Sequence, residues 1–304
     1  MPSLKDLRTR INSVKNTQKI TKTMKMVSAA KVRRARAASD AARPYAQRLQ
    51  YVLQTIAAST KGGPQLLVGR PSIDTVRYIV CGADRGLCGG LNANMAKELI
   101  KEVRAQQKTG RTVQIIALGK KIRSALPSDI KNCILETHED VGKKDALELA
   151  KTVGRTATEA FESDDCDAVY VMFAECTSML AQTPMTTQVI PFLDVKLGDA
   201  FDAKATSDML SNTAESSDFT QTFDYEPNEE AVLNRLLPMN VTTQILRGVL
   251  ETTASEHAAR MTAMDNATRN AGEMINSLTL DYNRSRQAAI TKELIEIISG
   301  AEAV

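Results

Sequence analysis

Residues 241–304 read VTTQILRGVLETTASEHAARMTAMDNATRNAGEMINSLTLDYNRSRQAAITKELIEIISGAEAV, with no proline after Pro238. Apolar or small residues recur at Leu246, Leu250, Ala254, Met261, Met264, Ala271, Ile275, Leu278 and Tyr282. Most steps are three, four or seven, the spacing of one helical face. A helix from Val241 to Ile298 would run ~87 Å at about 1.5 Å per residue. An ordinary globular helix has about 11–12 residues, so this stripe requires an equally long partner.

The other end of the chain supplies one. Leu4, Leu7, Ile11 and Val14 step by three and four, the stripe turns polar at Gln18 and Thr21, and it resumes at Met24 and Val27. Ala35, Ala38, Ala42, Tyr45, Leu49, Val52 and Ile56 continue it. Two consecutive steps of three, from Gln18 to Met24, predict a local slip of the heptad. Pro44 predicts a bend or break, and Gly62, Gly63 and Pro64 predict the end of the helix. Small residues from Ser28 to Ala38 allow close approach, and the methionines at 24, 26, 261 and 264 read as coil core. A parallel homodimer would satisfy the same stripe, but the matching lengths favour an antiparallel coiled coil within one chain.

The middle has another texture. Thr75–Cys81, Thr112–Leu118 and Asp167–Ala174 are short β-branched apolar runs that read as strands. Asn92–Gln107 and Asp145–Glu162 read as helices, with Asp145 as an N-cap. Thr186–Phe192 reads as a hairpin arm whose Pro191 places its end at a sheet edge. The expected class is α/β: a long antiparallel coiled coil of N- and C-terminal helices plus a small Rossmann-like α/β domain with a mostly parallel sheet. The expected divisions are a coil helix at 1–60, an α/β domain at 74–198, an irregular Ser/Asp/Glu/Thr-rich linker at 199–230, and a second coil helix at 231–304.

Composition narrows the function. Charged residues are 25% and hydrophobic residues 43% of 304, which indicates a globular chain. Aromatics are 4% with no Trp, so stacking platforms for single-stranded nucleic acid are few. No apolar run is long enough to span a bilayer, so a membrane role would pass through a partner. The net charge of +3 hides an asymmetry: residues 1–50 carry 13 Lys and Arg against Asp6 and Asp40. Such an excess implies an acidic partner, either nucleic acid, anionic lipid or an acidic protein surface. Five cysteines without a CxxC, and only His138 and His257, argue against a structural zinc site and for reduced thiols. GADRGLCGGLN at 82–92 sits where a phosphate could meet a helix N-terminus. It lacks the GxGxxG pattern, and a tight turn using Gly86, Gly89 and Gly90 is the better reading. Cys88 at a helix start has no acid–base constellation around it. The sequence offers no catalytic, cofactor or metal residues.

Four motifs carry a family resemblance. They are KNTQKITKTMKMV at 15–27, ADRGLCG at 83–89, ARMTAMDNAT at 259–268 and NRSRQAAITKEL at 283–294. In this order they resemble the gamma subunit of F-type ATP synthase over nearly the whole chain. The resemblance implies a non-catalytic central-stalk rotor. Its coil would stand inside a hexameric ring of alpha and beta subunits, and its α/β domain would form a foot on the proton-driven membrane c-ring, beside a small epsilon- or delta-type subunit. Lys22, Met24 and Lys25 match the shaft segment facing an acidic lever of beta, with Arg85 and Cys88 near the same lever. Arg286, Gln287, Thr291 and Glu293 match polar contacts to a catch loop of beta. Ile290, Leu294, Ile297 and Ile298 match an apolar tip inside the ring's collar, with about half of those side chains expected to pair with the other helix. No direct membrane insertion and no nucleic acid are implied. The location implied is peripheral on the energy-coupling membrane, at the bacterial cytoplasmic face or, for a processed chain, the mitochondrial matrix face. A basic coiled-coil nucleic-acid-binding or scaffold protein is the alternative reading of the first 50 residues.

Overall fold

The computed structural model describes residues 3–59, 63–142, 145–192, 226 and 228–302. The elements run α1 (Leu4–Ser59), α2 (Gln65–Val68), β1 (Thr75–Cys81), α3 (Leu91–Lys108), β2 (Thr112–Leu118), α4 (Lys120–Ala125), α5 (Ser128–Lys131), β3 (Ile134–His138), α6 (Ala146–Glu162), β4 (Ala168–Glu175), β5 (Thr183–Ile190) and α7 (Glu229–Glu302). The chain divides into two compact units, residues 1–30 with 260–304, and residues 31–259.

In the first unit α1 and α7 pair antiparallel. Lys25 Nζ reaches Asp265 at 2.6 Å, the Thr268 hydroxyl donates to Thr21 Oγ1 at 2.8 Å, and Gln18 Nε2 donates to the Thr268 carbonyl at 3.4 Å. Each step down α1 is a step up α7. The covered positions on α1 include Leu4, Leu7, Ile11, Val14, Gln18, Thr21, Lys25 and Ser28. They alternate steps of three and four, and Met24, at the predicted slip, is half-buried beside Lys25. On α7 the corresponding series is Met261, Met264, Thr268, Ala271, Ile275, Leu278, Tyr282 and Ser285.

The same alternation continues along α1 through Val32, Ala35, Ser39, Ala42, Ala46, Leu49, Leu53 and Ile56, all buried or half-buried. Pro44 lies inside the helix without ending it. The stripe read from apolar residues drifts one position off this face. Ala38 and Tyr45 are exposed, whereas Ser39 and Ala46 are buried. The cause is that hydroxyls and an ammonium hold seam positions, so counting only apolar residues steps around them. Met26 is 59% exposed and is not core.

In the second unit five strands form one sheet in the order β3-β2-β1-β4-β5, with β1–β4 parallel and β5 antiparallel on β4. One face packs Ile79, Cys81, Ile116, Val171 and Phe173 against α6, α1 from Leu49 to Ile56, and α7 from Leu233 to Val249. The other packs Val76, Tyr78, Val80 and Ile115 against Leu91, Met95, Leu99 and Val103 of α3. Asp145 caps α6, its side chain accepting from Leu147 N at 3.0 Å. Asp167 staples the start of the sheet, accepting from Asp74 N and Thr75 N at 2.9 and 2.8 Å and from Arg70 at 3.1 Å. The expected strands and helices are present, and α2, β3, α4 and α5 are additional. The segment read as a linker at 199–230 lies outside the described residues up to 225; its last two residues open α7.

α7 approaches the sheet closely at Gly248. A Cβ there would lie 3.1 Å from Val171 Cγ1 and 3.2 Å from Cys81 Sγ. Gly248→Leu therefore overpacks a filled interface. It should cost about 1–3 kcal/mol, despite a gain of about 1 kcal/mol in helix propensity. Denaturant unfolding measures this, and unchanged or raised stability would contradict the close approach.

Candidate functional site

In an open α/β sheet, a ligand ordinarily sits outside the carboxyl ends of the strands where the order reverses, here between β1 and β4. This chain fills that place with its own helix. Gly248 of α7 meets Cys81, Val171 and Phe173. One turn on, Thr252 Oγ1 accepts from Ala174 N at 3.2 Å, and the Ser255 hydroxyl donates to the Ala174 carbonyl at 2.8 Å.

The adjoining β1–α3 loop is closed in the same way. Asp84 accepts from the backbone N–H groups of Lys120, Asp140 and Gly142 at 3.3, 3.1 and 3.4 Å. A phosphate would need such donors, and a resident carboxylate repels the phosphate while occupying them. Gly82 and Gly119 let two strand ends touch main chain to main chain; a Cβ on Gly119, whose φ is +108°, would lie 2.5 Å from the Gly82 oxygen. Cys88 is a pin of this loop. It is 2% exposed, its Sγ accepts from Asn92 Nδ2 at 3.1 Å, and it lies 3.7 Å from the Arg85 carbonyl. Of the two residues read as a partner contact, Arg85 is exposed, while the Cys88 thiol faces inward and supports the loop that presents Arg85. Among the described residues no three His, Cys, Asp or Glu side chains gather to hold a metal ion.

The second surface flanks the helix seam. Lys22 is exposed and Met24 half-buried, as expected for a side chain beside the seam. Lys25, read as a cation for a partner, makes its 2.6 Å contact with Asp265 of the same chain.

The third surface is the end of α7. Arg286, Gln287, Thr291 and Glu293 are exposed. Ile290, Leu294, Ile297 and Ile298 are 52%, 55%, 66% and 51% exposed. None of these four side chains is buried. Positions 290, 294, 297 and 298 lie on one helical face, and Ile295 beside them is 57% exposed. A contiguous exposed apolar face of this kind marks an interaction site.

The sheet's ligand crevice is filled by the chain's own helix, and the end of α7 carries an exposed apolar face. Comparisons with known proteins identify the class. A family model described as ATP synthase matches residues 3–304. ATP synthase gamma chains of Sinorhizobium medicae and Rhizobium etli are 46% and 47% identical, each over 100% of both chains. The rotor of the Euglena gracilis mitochondrial ATP synthase has the same fold, with TM-score 0.64 at 20% identity, covering 94% of this chain and 98% of that one. The chain belongs to the ATP synthase gamma chain family, and it is the non-catalytic central-stalk subunit that couples rotation of the membrane ring to catalysis.

The thiols test the loop geometry. Burial, with help from Asp129, raises the pKa of Cys133, and burial pushes Cys81 up to about 12. Cys133 is half-buried, whereas Cys81, Cys88, Cys166 and Cys176 are buried. Because the thiolate is the reactive form, maleimide should label Cys133 first in the native protein, and faster as pH rises. Labelling of Cys88 ahead of Cys133, read by peptide mass spectrometry, would contradict its role as an inward pin.

Proposed function

We propose that the end of α7 is the bearing of the rotor, seated in the collar of an alpha/beta hexamer. The uncovered apolar face from Ile290 to Ile298 carries this reading. An isolated helix of this length is marginal in water, and its exposed face gains from enclosure by about 25 cal/mol per Å² of apolar area buried. A bearing of apolar side chains suits rotation, since dispersion and desolvation lack the angular demands of hydrogen bonds. Arg286, Gln287, Thr291 and Glu293, lower on the same exposed segment, are assigned to polar contacts with beta that differ between angular states. Lys22, Met24 and Arg85 are assigned to beta's acidic lever, Cys88 serving indirectly. A shaft need only favour different beta conformations at different angles.

Residues 74–198 are assigned as the foot on the c-ring, with the helices of 1–60 and 231–304 as the stalk and 199–230 as their link to the foot. The parallel order β3-β2-β1-β4 supports reading this domain as Rossmann-like. An apolar groove of about 550 Å³ between α1, α6 and α7 is lined by Ala42, Tyr45, Leu147, Met239, Leu246 and Leu250. Its rim carries Arg43, Lys151 and Arg247. The groove is the surface assigned to the small epsilon- or delta-type subunit. No described helix is long and apolar enough to cross a membrane, consistent with peripheral attachment. The bacterial relatives support the cytoplasmic face.

The polar ring contact gives the test. Arg286→Ala with Gln287→Ala removes exposed side chains, so thermal stability should stay within about 0.5 kcal/mol. Hydrogen bonds to charged groups are worth roughly 1.5–3 kcal/mol each, so losing one across a rate-limiting angular state should slow ATP hydrolysis and synthesis about tenfold or more in the reconstituted complex. Normal rates in an assembled complex would overturn this assignment.

A further inference from the structure

At its carboxyl end β4 outruns the neighbour that would hold it. The ladder from β1 ends at the pair Val80 and Met172, and the residue opposite Ala174 on β5 is Pro184, which has no N–H to give. Side chains of α7 take over. Thr252 and Ser255 satisfy both main-chain groups of Ala174, at 3.2 and 2.8 Å. Glu251 Oε2 accepts from Cys176 N at 3.4 Å, while Oε1 accepts from the Ser39 hydroxyl of α1 at 2.7 Å and lies 3.8 Å from the Arg43 guanidinium. Arg36 of α1 donates to the Cys176 carbonyl at 3.3 Å. One turn earlier on α7, Arg247 lies over the Phe173 ring at 5.4 Å and 3.7 Å from Glu175. Ser255, Thr252 and Glu251 are 0%, 3% and 7% exposed. Two helices thus grip the strand end from Phe173 to Cys176.

The rest of this interface is of another kind. Ile245 and Val249 meet Ile79, Val171 and their neighbours through apolar contact alone. Apolar contact resists separation but has little directional preference. Hydrogen bonds fail within a few tenths of an ångström or some tens of degrees. A twist of the helices against the sheet would let apolar side chains re-pack, but it would break the bonds at Ala174 and Cys176.

We propose that Glu251, Thr252 and Ser255 are positioning residues of a torque junction, the polar clamp that stops the sheet domain from turning about the helices when the sheet is driven and the helices are loaded. The proposal rests on the rotor reading. It assigns these side chains a role under load that packing alone does not supply.

The test uses the whole ATP synthase in sealed vesicles. Thr252→Val with Ser255→Ala removes both hydroxyls at nearly constant shape, and Thr252→Ser, which keeps its hydroxyl, is the control. Amide exchange at Ala174 should accelerate about fivefold or more in the double variant, the factor expected for losing a bond of about 1 kcal/mol. Protons pumped per ATP hydrolysed should fall below wild type as the opposing gradient is raised, while Thr252→Ser follows wild type. Faster exchange with a wild-type ratio at every gradient would overturn the junction and leave the clamp a packing feature. If the double variant fails to assemble, each single variant carries the same comparison, with the same result overturning it. A wild-type complex that pumps no protons on ATP addition would instead refute the rotor reading.

Discussion

The structure depends on a helix seam in which polar side chains occupy positions that leucine would ordinarily hold. Thr21 meets Thr268, Gln18 reaches the Thr268 main chain, Lys25 meets Asp265, and Ser39 meets Glu251. Such pairs add little net stability, since an exchanged hydrogen bond is worth about 1 kcal/mol and a surface ion pair less. Their effect is on register. A slide of one helix along the other would bring Thr21 and Ser39 against apolar neighbours and leave buried hydroxyls without partners, at about 1–3 kcal/mol each. A polar residue at a seam position is a well-attested way to fix register at some cost in stability.

The same economy runs through the sheet domain. Its wound order creates a crevice suited to a ligand, and α7 fills it with Gly248, Thr252 and Ser255. The phosphate-binding donors of the neighbouring loops go to Asp84. These two substitutions turn a fold that commonly hosts chemistry into a rigid body gripped by helices. The proposed reading places function in surfaces: the exposed apolar end of α7, a cationic flank and a grooved side of the sheet domain.

Much of this was legible in the sequence. The strands at Thr75–Cys81 and Thr112–Leu118 were plain because both are buried on two faces and rich in β-branched residues. β3 was not, since Leu135, Glu136 and their neighbours lie on an edge and alternate weakly. Most of the α1 stripe was read correctly, including Gln18, Thr21, Ala35, Ala42, Leu49 and Ile56, but Val27, Ala38 and Tyr45 are exposed, because Lys25, Ser28 and Ser39 are polar residues in core positions. Their pairing depends on α7, more than two hundred residues away. Cys88 illustrates the limit for the site. Its motif drew attention to the loop, but only the partner Asn92, four residues on, shows that the thiol faces inward. The residues assigned to the tip came through family resemblance, and their exposure of 51–66% depends on tertiary context that no local pattern encodes.

The most direct measurement is rotation itself. In a complex immobilised through its beta subunits, a bead attached at Lys108, the exposed end of α3, should turn continuously in one direction when ATP is added and stop when ATP is removed. A bead that stays fixed or moves at random while the same complexes hydrolyse ATP would contradict the assignment of this chain as the rotor.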